Sequence, residues 1–179
     1  HKGQSLLGFE PLDLTEIRGA DELYEPEGII AQSEANATRL FGTQHTYYST
    51  EGSSQCIRAM LALALRRAPK TGKRPVLLAA RNAHKALLYA AALLDFDIQW
   101  LWPDPEASGA LCSCPVTPEA LRRALQTQAE QGTRPFGVYV TSPDYLGSVQ
   151  DIAGLAAVCK ARGVPLLVDN AHGAYPVSY

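Results

Sequence analysis

Short runs rich in β-branched, aromatic and aliphatic residues alternate along this chain with amphipathic stretches of helical period. No other feature narrows the choice of fold as much. The runs lie at residues 46–49, 76–80, 98–102, 138–141 and 166–169, each about the length of an ordinary strand. Between them, helical spacing predicts helices at 54–67, 84–94, 118–131 and 152–161, the third opened by Thr117 as N-cap with Glu119 in its first turn. Strands separated by helices pair in parallel through right-handed crossovers, because a tight hairpin joins only antiparallel neighbours. The expected fold class is therefore α/β, a mostly parallel sheet with helices on both faces. One more helix is expected at 29–40, where Ile29, Ile30, Ser33, Ala37 and Leu40 recur at helical spacing behind Pro26. Residues 1–28 hold Gly, Pro and acidic residues without a sustained apolar period, which reads as an arm or loop segment ahead of an α/β domain over 29–179.

Charge and cysteine content remove several function classes. Sixteen Lys and Arg against 18 Asp and Glu leave a net charge of −2 and an isoelectric point near 6.1. Nucleic-acid binding needs clustered cations to neutralise phosphates, so no nucleic-acid partner is expected. A hydrophobic fraction of 46% with 19% charged residues is that of a soluble globular domain with a real core. Four scattered cysteines (Cys56, Cys112, Cys114, Cys159), in a chain long enough to fold without staples, point to a reducing compartment, and a cytoplasmic setting is expected. The longest apolar stretch, 86–94, is broken by Tyr89 and falls short of the roughly 20 residues that a membrane helix needs. The chain opens at His1 with no charged-then-apolar leader, so neither membrane attachment nor secretion is expected.

Open parallel sheets bind ligands outside the carboxyl ends of their strands, which places the chemistry in the loops that follow each strand. Four such loops, at 50–54, 81–85, 142–147 and 170–173, would converge on one crevice. Gly52-Ser53-Ser54 falls between a strand-like run and a helix start, where backbone N–H groups, hydroxyls and the helix dipole make an anion site suited to phosphate. The ordinary roles of Ser as N-cap and Gly as turn residue account for the same letters. Asp169 ends an otherwise apolar strand, so its carboxylate emerges on the ligand side, to serve a cofactor or metal or else to cap the next helix. His172 stands three residues on. His84 follows another strand at a helix start, where an imidazole can stack on a ring, move a proton, or cap the helix.

Other chemistries lack their patterns. Cys112-x-Cys114 is too closely spaced for a usual zinc site, and no metal is expected. There is no Gly-x-Ser-x-Gly elbow for a serine nucleophile, no Walker loop and no GxGxxG fingerprint.

A phosphate cradle at one strand end, a flat His at the next, and a strand-terminal Asp followed by Ala and His together resemble a pyridoxal-phosphate (PLP) enzyme of the aspartate-aminotransferase fold type, fold type I. Within that superfamily, Leu12-Asp13-Leu14-Thr15-Glu16-Ile17, Asp21-Glu22-Leu23 and Pro26-Glu27-Gly28-Ile29-Ile30 resemble the ornithine/lysine/arginine decarboxylase family. So do Phe41-Gly42, Arg81-Asn82-Ala83-His84-Lys85, Thr141-Ser142-Pro143-x-Tyr145-x-Gly147 and Asp169-x-Ala171-His172-Gly173-Ala174. The resemblance spans essentially the whole chain.

It implies that Gly52, Ser53 and Ser54 bind the cofactor phosphate, that His84 stacks on the pyridine face, and that Asp169 pairs with the protonated ring nitrogen. Ala171 would pack against the ring, with His172 and Ser142 near its phenolic oxygen. His84, Asp169 and His172 are then the catalytic candidates. The implied activity is decarboxylation of a basic amino acid to an amine, as in polyamine biosynthesis, by a homodimer or larger homo-oligomer. The family's cofactor-linking Lys lies beyond Asp169 in a Ser-x-His-Lys setting that these 179 residues do not contain. The chain is accordingly expected to be the front part of the cofactor domain, incomplete as a large domain and inactive alone. Two alternatives stay open: transamination or aldol cleavage on the same fold, and a non-catalytic phosphate-binding or assembly module.

Overall fold

The computed structural model describes residues 19–70, 72–103 and 112–173. The sequence motif at 12–17, and the arm read over 1–28 as far as residue 18, lie outside the described residues. The chain divides into two units, His1–Thr50 and Glu51–Tyr179.

The described part of the first unit holds one helix, α1, Ile29–Phe41. Its start is not capped by a neighbouring side chain. Asp21 reaches it instead, its carboxylate accepting from the N–H groups of Glu27, Gly28 and Ile30 at 2.8–3.0 Å. Desolvation pushes the Asp21 pKa up, but these backbone hydrogen bonds outweigh it and leave the carboxyl below its ordinary value. The helix stops at Gly42, whose φ of 62° suits a residue without Cβ. Residues 46–49, expected as a strand, form none. Tyr48 donates its N–H to Glu34 Oε1 at 2.8 Å, and its hydroxyl lies 2.8 Å from Ser33 Oγ, so side chains of α1 take the place of a neighbouring strand.

The second unit runs α2 (Gly52–Arg66), β1 (Val76–Ala80), α3 (Lys85–Leu94), β2 (Asp97–Leu101), α4 (Pro118–Glu130), β3 (Gly137–Thr141), α5 (Ile152–Arg162), β4 (Leu166–Asp169). All four strands are parallel, in the order β2-β1-β3-β4. The chain steps outward from β1 to β2 and then reverses across β1 to reach β3. Reversing direction while changing face keeps successive crossovers of one hand, which accounts for where the helices lie.

The pleat splits the strands between two cores. Leu77 and Ala79 of β1, with Tyr139 of β3, face Ile57 and Leu61 of α2 and Leu87 and Ala90 of α3. Leu78, Ala80, Val138 and Val140 face Leu121 and Leu125 of α4 and Leu155 and Val158 of α5. Near-continuous apolar runs, rather than polar alternation, are what a sheet buried on both faces requires. Thr117 caps α4 as expected, accepting from Ala120 N at 3.1 Å, and Asp151 caps α5 through Gly154 N at 2.9 Å. Among the described residues, no helix is long and apolar enough to cross a membrane.

Leu78 is fully buried, whereas Leu40 on α1 is 76% exposed. Leu78→Ala is expected to cost about 2–5 kcal/mol and Leu40→Ala under about 0.5 kcal/mol, read as urea unfolding midpoints. Equal losses would contradict this partition of the core.

Candidate active site

The reversal of strand order falls between β1 and β3, and a crevice at the carboxyl ends is the ligand position such sheets provide. A cavity of about 290 Å³ lies there. Ser53 and Ile57 come from α2, His84 from the loop after β1, Thr141 from the end of β3, Tyr145 from the loop beyond it, Asp169 from the end of β4, and Ala171 and His172 from the turn that follows. Each of the four expected loops contributes. A larger groove of about 360 Å³ sits at the amino ends of β3 and β4, lined by Leu125, Ala129 and Val164, and contains none of the candidate residues.

Helix α2 starts at Gly52, whose φ is 64°, so Ser53 and Ser54 stand in its first turn rather than ahead of it. The N-cap residue Glu51 makes no side-chain cap. Its carboxylate, which would repel an anion at a helix start, is paired with Arg58 at 2.7 Å.

His84 caps α3. Its Nδ1 accepts the N–H of Ala86 at 3.2 Å, which leaves Nε2 as the protonated nitrogen of the neutral ring. The capping and cavity-lining readings of this residue therefore hold together. Its loop is pinned from the side, since Arg81 N donates to Leu101 O at 3.2 Å and the Arg81 guanidinium stacks 4.9 Å from the Trp100 ring.

Asp169 is buried, and both its oxygens are engaged: Oδ1 by the N–H of Ala171 at 3.2 Å, Oδ2 by the hydroxyl of Tyr139 at 2.7 Å. Among the described residues no ion pair reaches it. Burial raises the Tyr139 pKa strongly, and the charge and hydrogen bond of Asp169 raise it further. Thr141 lies close enough to oppose that rise, yet its Oγ1 has no hydrogen bond of ordinary geometry. Tyr139 escaped the sequence reading although a signal existed: a phenol amid apolar strand residues needs a polar partner, and β4 runs beside β3 with Asp169 two residues past its register partner Leu167.

His172 is exposed, its ring 4.7 Å from that of Tyr145. The loop carrying Tyr145 is held by Asp144, whose Oδ1 accepts from Leu146 N and Ser148 N at 2.9 Å each. Ser142 does not line the cavity. It is buried, and its Oγ accepts the N–H of Gln150 at 3.0 Å, which ties down the far end of that loop. Ile57, Thr141 and Tyr145 are lining residues that sequence did not single out for the site.

The family model for the Orn/Lys/Arg decarboxylase major domain matches residues 6–177. The chain belongs to the ornithine/lysine/arginine decarboxylase family. It is 29% identical over 164 residues to an arginine decarboxylase of Halalkalibacterium halodurans, covering 92% of this chain and 31% of that protein. A Bacillus subtilis arginine decarboxylase is 30% identical over 165 residues, with the same coverage. The chain thus spans about a third of the length of these curated relatives. Among solved structures, mouse CSAD superposes with a TM-score of 0.62 at 23% identity, over 80% of this chain and 32% of that one. Oryza sativa TDC, solved with PLP and tryptamine, gives 0.58 at 19% identity, over 78% and 32%. The fold of this decarboxylase-family segment is that of part of the domain in fold type I PLP enzymes.

Two substitutions probe the site's construction. Tyr139→Phe keeps the ring but strands a buried carboxylate oxygen, and is expected to cost about 1–3 kcal/mol in urea unfolding at pH 7. The loss should shrink when Asp169 is already Asn. Because the phenol's pKa is raised on folding, the wild-type contribution is complete below the ordinary value of 10.0 and fades as pH rises above it. At Gly173 a Cβ would collide with Asn170 Oδ1 and lie 2.8 Å from Pro143 Cδ. Gly173→Ala should therefore displace the turn carrying Ala171 and His172, costing about 1–3 kcal/mol and abolishing the Tyr145–His172 ring contact in NMR spectra.

Proposed function

We propose that this chain supplies the cofactor-holding part of a PLP-dependent decarboxylase acting on a basic amino acid of the ornithine, lysine or arginine class. The observation that carries this reading is the polarity of the cavity: a helix start with Ser53 borders it on one side and the buried carboxylate of Asp169 on another, with the His84 ring also in the wall. Phosphate suits a helix start, and a protonated ring nitrogen suits a carboxylate that no cation among the described residues neutralises. The residues fit such a ligand in a further respect, since Thr141 borders the same space and its buried hydroxyl makes no hydrogen bond of normal geometry among the described residues. The cavity volume lies near the lower end of ordinary small-molecule sites, about 300–1,000 Å³.

PLP, when bound, supplies an electron sink for the pair released as a bond to the substrate α-carbon breaks. The chain's residues do the holding. Gly52, Ser53 and Ser54 receive the phosphate at the start of α2. Asp169 accepts the ring N–H and keeps that nitrogen protonated, while Tyr139 and the Ala171 N–H fix the carboxylate's orientation. His84, locked by its own capping bond, presents a flat face to the ring. Ala171 fills space beside the ring, and His172 borders it from the solvent side. Ser142 contributes indirectly, through the loop that it closes onto Gln150.

The relatives' names favour arginine as substrate, with lysine and ornithine as the neighbouring candidates. The 179 residues alone are expected to bind cofactor without releasing CO₂, because they contain no Ser-x-His-Lys setting.

The test is PLP titration of the intact enzyme that carries this segment, followed by assays for CO₂ and amine with arginine, lysine and ornithine. Saturable binding with visible-range absorbance and one preferred basic substrate are expected. Asp169→Asn should lower CO₂ release by about 100-fold or more. A requirement for a keto acid, without CO₂, would replace decarboxylation by transamination.

A further inference from the structure

We infer that Thr141 is a ligand-binding residue of this cavity, its hydroxyl held without a protein partner so that it can hydrogen-bond the ring-bearing ligand between His84 and Asp169. The inference rests on the cofactor reading above and adds a residue to it.

Thr141 is 3% exposed, and among the described residues its Oγ1 makes no hydrogen bond of normal distance and angle. Buried polar groups are nearly always satisfied, and an unsatisfied one costs the fold, so such an atom requires a reason. Among the described residues, two other buried side-chain atoms share this condition, Asn82 Oδ1 and Asp144 Oδ2, and neither residue lines the cavity. Thr141 does. The wall position therefore separates this hydroxyl from the rest.

Its neighbours are already committed. Thr141 sits opposite Asp169 in the β3–β4 register, but the Asp169 oxygens accept from Tyr139 and from the Ala171 N–H. The phenol of Tyr139 spends its one proton on Asp169, and although Thr141 lies near enough to its oxygen to act on it, no hydrogen bond of normal distance and angle joins the two among the described residues. Ser142, next in the chain, shows the opposite arrangement, with its hydroxyl used by the backbone of Gln150. Of the two hydroxyls at the end of β3, Ser142 serves the fold and Thr141 faces the ligand. A threonine hydroxyl both donates and accepts, so it can meet an oxygen or a nitrogen on the ligand's rim.

This assignment has a stability signature that a structural role would not produce. Replacing a hydroxyl that bonds nothing by a methyl of the same shape removes a desolvation cost and no interaction. The experiment compares wild type, Thr141→Val and Thr141→Ser in the intact protein, with PLP as the probe. Melting temperature is measured without PLP, and the dissociation constant and the PLP-dependent rise in melting temperature are measured with it. We expect Thr141→Val to melt at or above wild type without PLP yet to bind PLP roughly tenfold more weakly, with Thr141→Ser within about twofold of wild type. Two results would overturn the inference while leaving the cofactor reading intact: unchanged PLP affinity in Thr141→Val, or a drop of several degrees in its ligand-free melting temperature, which would reveal a structural partner. No PLP binding by wild type would instead defeat the cofactor reading and this inference with it.

Discussion

Strands β1 and β3 are hydrogen-bonded on both edges and covered on both faces, and the rest of the second unit follows from that enclosure. A strand so placed cannot carry a polar side chain along its length unless that group finds a partner inside the protein. β1 obeys by being Val-Leu-Leu-Ala-Ala, wholly apolar. β3 breaks the rule at Tyr139, and the phenol's outlet is the carboxylate at the end of β4. Elsewhere in β3 and β4 polar side chains enter only at the carboxyl ends, through Thr141 and Asp169, while the polar Asp97 and Gln99 of the edge strand β2 are exposed. The site lies where the core stops, and the core's enclosure makes its groups costly to leave unpaired.

Several candidate residues carry two duties at once, and this bears on how such sites are found. His84 is an ordinary helix cap by its Nδ1 and a cavity wall by its ring. Asp169 closes a turn through the Ala171 N–H while its other oxygen is held by Tyr139. A local structural role uses one nitrogen or one oxygen of a side chain that has two, and fixing the first atom orients the second. The capping bond is thus part of the pre-organisation, since a ring pinned at Nδ1 loses little freedom when a ligand arrives.

Much of this was legible from spacing. The runs at 76–80 and 166–169 coincide with β1 and β4, and the helical patterns locate α2 to α5 within about two residues, because apolar periodicity reflects burial directly. The run at 46–49 misled because β propensity records only that a segment suits extended backbone, and here Glu34 and Ser33 supply the bonds that a neighbouring strand would have supplied. Asp21 as the cap of α1 was invisible for a related reason: its bonds reach residues six to nine positions away, outside any local capping pattern. Strand-end positions were enough to bring His84 and Asp169 into view, and both line the cavity. They did not show which of the adjacent hydroxyls of Thr141 and Ser142 belongs to a residue lining the cavity. The hydroxyl of Ser142 is taken up by Gln150, eight residues on, and no short-range pattern records that contact.

The electrostatic character of the cavity follows from the same placement. Among the described residues Asp169 is held by a phenol and an amide N–H and by no cation, so its negative character is directed rather than cancelled. An Arg in Tyr139's place would hold the carboxylate as firmly and neutralise it. The start of α2 presents the positive end of a helix dipole, with Glu51 drawn off by Arg58. A ligand that gains from both features needs an acceptor-rich anionic group and, apart from it, an N–H donor on a flat frame. A simple anion would gain at the helix and be repelled by Asp169, and a simple cation would meet the reverse. Such a cavity discriminates by charge pattern, which is why the proposed reading bears more directly on a cofactor than on the side chain of a substrate.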